Sequence, residues 1–232
     1  MRFRDLGVAF VTSARDSELR ALRAVPAWEA ALSLFPSVAH WGDAQPITGV
    51  QVIAAIEDRH RRHVVDGEPV ATGLAAVGDA WACTNPSLGR GASIGLLHAC
   101  ALRDLLREVS PDEPERLARR FDEVTQATVG PFYRATLEFD RHRLAEINGE
   151  ITGQPYQPGD PAWDFSKALS AAAGCDPDVL RAYTSVAALT AMPADVLAEP
   201  GMLDKVISVG SAAPRYSAPA PARAELLAAL GG

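Results

Sequence analysis

Three times from residue 110 onward the chain places a capping residue directly before proline: Ser110-Pro111, Asp160-Pro161 and Asp176-Pro177. A side-chain oxygen at the N-cap satisfies an orphan N–H of the first turn, and proline at the first helical position has the required φ with no N–H to waste. Each pair therefore predicts a helix start. The apolar spacing behind them agrees: Leu117, Phe121 and Val124, then Phe165, Leu169 and Ala172, then Leu180, Tyr183 and Ala187. Ser110-Pro111-Asp112-Glu113 has the form of a capping box. A further long helix carries Phe132, Phe139, Leu144 and Ile147, with Asn148-Gly149 as its expected end. Beyond a Pro/Ala linker at Ala213–Pro221, a last helix is expected over Ala222–Leu230.

The first half carries a different pattern. Leu6, Val8 and Phe10 alternate with Gly7, Ala9 and Val11, so 5–13 is expected to be an interior strand. Ser17–Phe35 has helical spacing with a break at Pro26. Short strands are expected at Val50–Ile56, Arg62–Val65 and Gly73–Val77, with Asp66-Gly67 as a hairpin turn, because a type I′ turn needs two positive φ angles. Three segments result: 1–70 as a sheet with a helical connection, 71–110 as a strand-loop-helix unit, and 111–232 as a helical region.

Composition narrows the function. With 232 residues, 48% hydrophobic and 22% charged, the chain is that of a globular protein. A net charge of -7 leaves no basic surface for phosphate backbones, so nucleic acid is not an expected partner. Three scattered cysteines, Cys83, Cys100 and Cys175, offer neither a disulfide framework nor a metal-binding spacing. A reducing, cytoplasmic setting is expected, and no apolar stretch is long enough to span a bilayer.

Chemistry is concentrated between Gly73 and Ala99. An apolar segment ends at Gly78-Asp79, a loop through Asn85-Pro86 follows, and Gly89-Arg90-Gly91 opens a helix through Ile94, Leu97 and Leu102. A carboxylate just past a strand sits where α/β proteins bind ligands, and Asp79 would accept hydrogen bonds from hydroxyl groups there. Glycines around Arg90 let backbone approach a flat ligand, and the free N–H groups of a helix start favour an anionic ring edge.

This segment resembles the second flavin-contacting motif of the FAD-dependent monooxygenases and oxidoreductases of the p-hydroxybenzoate hydroxylase type: Gly-Asp-Ala, then Pro, two residues and Gly-x-Gly. The resemblance implies that Gly78 and Asp79 meet the ribityl chain of FAD, that the amides of Gly89, Arg90 and Gly91 face the isoalloxazine, and that Pro86 lines the ring. Two departures are Ser93, where many members have Asn, and the absence of a His after the Gly-Asp-Ala sequence. Trp41, Pro46-Ile47, Asp58-Arg59, Arg61-Arg62 and Asp66-Gly67 resemble the last part of the family's substrate-domain sheet.

The implied fold is α/β (α+β): part of an FAD-binding domain, the remainder of a substrate-domain sheet, and a helical C-terminal half. The implied activity is FAD-dependent oxidation of an apolar or aromatic small molecule, with NAD(P)H as donor and no side chain assigned as acid or base. The family's Gly-x-Gly-x-x-Gly turn is not in this sequence, so the chain is expected to be a C-terminal portion: a truncated product, a misplaced start, or one piece of a split enzyme whose partner chain supplies the nucleotide-binding segment. The alternative is a non-catalytic remnant or module that needs a second chain to bind FAD.

Plainer roles are expected elsewhere. His98 and Trp81 read as core, Asp58 to His63 as a solvated strand face, the cysteines as inert thiols, and the Arg90 side chain as solvated.

Overall fold

A computed structural model describes residues 7–54, 56–213 and 220–231. Helices dominate, and two short antiparallel strand pairs give a mixed α and β composition. The chain divides into two compact units, one built from 1–55, 144–157 and 218–232, the other from 56–143 and 158–217.

In the first unit the expected strand does not form over its described part, 7–13. Its Phe10 ring instead packs edge-on to Trp28 and beside Phe35, both at 5.7 Å. Alternation alone makes no strand without a ladder partner. A 3-10 turn over Glu18–Arg23 and helix α1 (Val25–Ser33) are separated by extended Ala24, so the break falls just before Pro26. Buried Asp16 accepts hydrogen bonds from Arg223, which opens the helix Arg223–Leu230, and that bonding holds the Asp16 pKa below the usual carboxylate range. This last helix matches the expectation. The Ala213–Pro221 linker lies largely outside the described residues.

In the second unit, strand β1 (Arg59–His60) pairs with β4 (Ala82–Cys83), and β2 (Val64–Val65) with β3 (Glu68–Pro69). The β2–β3 turn is Asp66-Gly67 with φ of +51° and +81°, as a type I′ hairpin requires. Val50–Ile56, where described, and Gly73–Val77 are not strands, so the expected sheet reduces to these two pairs. A proline in β3 limits further pairing because it cannot donate to a ladder.

Helix α2 (Gly91–Leu105) begins at the Gly-Arg-Gly sequence. Helix α3 (Pro114–Thr128) starts later than Ser110-Pro111 implies. Ser110 instead closes a local turn on the N–H of Asp112, and Glu113, preceding a second proline, is held out of helical φ/ψ. Helix α4 (Gly130–Thr152) runs through Asn148-Gly149. Gly149 is inside it because the chain folds back: a Cβ there would lie 2.6 Å from the Gln154 carbonyl oxygen. Left-handed Gly153 follows the last turn.

The Asp-Pro signals hold for α5 (Pro161–Ala173) and α6 (Pro177–Ala187), whose N-cap carboxylates accept the N–H of Ala162, and of Asp178 and Val179. With α7 (Pro193–Leu197) and α8 (Met202–Ala212) they enclose a core of Leu169, Ala172, Val179, Val196, Met202 and Val206. A second core, Trp81, Ala82, Ile94, Val129 and Tyr133, lies beneath the loop that precedes α2.

Candidate functional site

The loop from Val77 to Gly91 is built by glycine geometry and side-chain clamps. Gly78 has φ +58°, and a Cβ on it would sit 3.3 Å from the Cα of Gly95. Backbone therefore packs on backbone, one turn into α2. The Gly78 N–H donates to Nδ1 of His98 at 3.4 Å. Nε2 of His98 lies 2.8 Å from the Thr125 hydroxyl, which itself donates to the Phe121 carbonyl at 2.6 Å. One tautomer satisfies all three contacts: Nδ1 accepts and Nε2–H donates. His98 is fully buried, stacked on Phe121 and edge-on to Trp81, and burial lowers its pKa. It is a neutral latch for the Gly78-Asp79 turn, which agrees with a core histidine.

Above this latch, Arg61 donates to the carbonyls of Asp79 and Ala80, leaving the Asp79 side chain exposed. Oδ1 of Asp79 lies 4.0 Å from the position of a Cβ on Gly91. The carboxylate thus stands at the start of α2, where no side chain caps the helix and its dipole favours negative charge. Gly89, at φ +65°, has open space where its side chain would be. The result is a carboxylate beside an uncapped helix start with two bare glycines, able to take hydroxyl donors on one side and an anionic edge on the other.

The other limb of the loop is held by Asn85. Its side chain accepts the Ser87 N–H, its N–H donates to Asp58, and its amide donates to Asp140 at 3.4 Å. Asp140 is 2% exposed, and its Oδ2 has no hydrogen-bond partner among the described residues. Burial and then the charge of Asp58 push its pKa up to about 6, against the pull of Arg143 and Arg90. Arg90 is half-buried and not solvated as expected; burial lowers its pKa while Tyr183 and Asp140 raise it.

Comparison with family models, with curated proteins and with solved structures returns no match in any of the three. The flavoprotein resemblance therefore rests on the motif residues. Of these, the fold brings Gly78, Asp79 and Gly91 together, with Gly89 and Arg90 contiguous; exposed Pro86 opens the turn that leads to Gly89. Asp79 is not carried at the end of a sheet strand: the turn Gly78–Ala80 and the His98 latch place it.

Sequence reasoning passed over Asp140. Its signal was there, because the buried positions of α4 recur at Tyr133, Thr136 and Asp140, putting a carboxylate on the buried stripe.

Proposed function

We propose that this chain is the flavin-contacting part of an FAD-dependent oxidoreductase, monooxygenase-like, acting in the cytoplasm on an apolar or aromatic small molecule. The observation that carries the reading is the meeting of the Asp79 carboxylate with Gly91 at an uncapped helix start. The donor set fits the group: Asp79 would accept hydrogen bonds from the ribityl hydroxyls, the amides of Arg90 and Gly91 would face the pyrimidine edge, and Pro86 would line the ring. Gly89, whose own N–H is taken by the Pro86 carbonyl at 2.9 Å, would only leave room for the ring. FAD, when bound, supplies hydride transfer from NAD(P)H and its onward use. This chain's part is to bind and orient the ring. The cavity beneath Trp81, about 30 Å³, is far too small for an isoalloxazine ring, so FAD would have to bind at the open face of the loop. The residues described contain no helix long and apolar enough to cross a membrane.

A second reading is supported by exposed apolar side chains. Ile47, Val52 and Ile53 in the first unit, and Val65, Val70 and Leu74 in the second, are exposed on backbone with little or no ladder pairing. Such surface fits a module that binds FAD only with a second chain carrying the nucleotide-binding segment.

Titration of the purified chain with FAD, followed by flavin fluorescence, tests both. Saturable binding by the chain alone, weakened at least about tenfold by Asp79→Ala, supports the first reading, since a lost charge-assisted hydrogen bond costs roughly 1.5–3 kcal/mol. Binding that appears only when the second chain is added supports the module. Unchanged binding by Asp79→Ala removes the ribityl assignment, and no binding under either condition removes the flavoprotein reading.

A further inference from the structure

A second constellation lies away from the loop, on α4 and the cap of α5. His142, 3% exposed, is stacked flat against Trp163 with ring centroids 4.9 Å apart and planes within 8°. Its imidazole is therefore fixed. Nε2 lies 3.1 Å from Oδ2 of Asp160 and 3.3 Å from Oε1 of Glu138. All three ligand atoms lie within 4.8 Å of one another. Glu138 and His142 share a helix face at i,i+4 spacing, and Asp160 uses its other oxygen, Oδ1, to cap α5. Its Oδ2 faces Nε2 of His142.

The contacts around Nε2 make competing demands. The atom carries at most one proton, yet two carboxylate oxygens surround it, and so does the donor Nη2 of Arg141 at 3.3 Å. A single N–H serves the carboxylates poorly and Arg141 not at all. A cation between the three ligand atoms serves every one of them. Separations of 3.1 and 3.3 Å correspond, for metal–ligand bonds of about 2.1 Å, to angles of about 95–105° at the ion, between octahedral and tetrahedral values. One imidazole with two carboxylates suits a first-row divalent ion better than Mg²⁺ or Ca²⁺, which take oxygen ligands alone. Arg141, mostly exposed, leans in from solvent and is paired with Glu138, so it occupies the place a bound cation would take.

We propose that Glu138, His142 and Asp160 form a binding site for a divalent transition-metal ion such as Zn²⁺, with Arg141 as a competing cation. The site does not depend on the flavin reading. Sequence reading found no metal spacing because the third ligand comes from another helix.

Isothermal titration of the full chain with Zn²⁺, and visible absorption with Co²⁺, test it. One equivalent is expected to bind at micromolar or tighter affinity. Glu138→Gln alters an exposed side chain, and Asp160→Asn keeps the cap because asparagine caps as well as aspartate; each should weaken binding at least about tenfold while circular dichroism is unchanged. Arg141→Ala should tighten it. Absence of stoichiometric binding, or binding unaltered in both Glu138→Gln and Asp160→Asn, would overturn the proposal and leave His142 as a bridge between helices.

Discussion

The stretch from Ile56 to Arg90 and the stretch from Asp160 to Ala212 are held together by different means. In the latter, each helix satisfies its own backbone, carboxylate caps start α5 and α6, and the enclosed core is entirely apolar. The former has strands of two residues, and side chains do what a ladder would otherwise do: Arg61 on the carbonyls of residues 79 and 80, Asp58 and Asp140 on Asn85, and His98 on Gly78. A loop fixed by ionisable side chains keeps backbone groups open to a ligand. The same arrangement ties it to the protonation of the buried His98 and Asp140. In the helical stretch the caps Asp160 and Asp176, whose backbone hydrogen bonds lower their pKa values, lose their charge only in acid, and the core beneath them responds to packing.

Removing the latch should have the largest effect. His98→Ala deletes a buried ring stacked on Phe121 and breaks two hydrogen bonds, so a loss of about 3–4 kcal/mol is expected in chemical denaturation. A loss below about 1 kcal/mol would mean that the turn does not depend on the histidine.

In the helical stretch the comparable test is steric. A Cβ on Gly210 of α8 would lie 2.8 Å from the Ala168 carbonyl carbon and closer still to its oxygen. Gly210→Ala should therefore destabilise by about 2 kcal/mol, although alanine is the better helix former. A stabilised variant would show that α5 and α8 do not cross so closely. This loss should vary little with pH.

The smallest effect distinguishes the stretches most directly. The folded-state pKa of Asp140 lies above its ordinary 3.8, at about 6, so its stabilising contribution is complete below pH 3.8 and lost as pH rises through 6. Asp140→Asn stays neutral throughout. Its stability relative to the parent chain should rise by about 1–2 kcal/mol between pH 4 and 7, after allowance for screening, as read by urea unfolding at each pH. His98 works in the opposite direction, because its lowered pKa makes acidification below its ordinary value of 6.5 destabilising. A pH-independent difference for Asp140→Asn would mean that the carboxyl is not held in a buried setting.

What could be read from the residues alone was local. Asp160 and Asp176 reach N–H groups two or three residues ahead, Asp66-Gly67 sets two φ angles, Gly89-Arg90-Gly91 opens α2, and Pro26 sits in the first turn of α1, just past the extended Ala24 that separates it from the preceding turn. Each of these acts within one turn of backbone, so the order of amino acids was enough. Strands were expected at 5–13, 50–56 and 73–77 from alternation, but pairing requires a second chain segment, and only the tertiary fold decides whether one is present. The same holds for Gly149, kept inside α4 by the returning residues 154–156, and for Asp140 and the His142 cluster, whose partners lie on other elements. Sequence determined where α2, α5 and α6 begin and that Asp66-Gly67 is a sharp turn; tertiary structure determined where α3 begins and which polar side chains meet, because that depends on contacts between segments far apart along the chain.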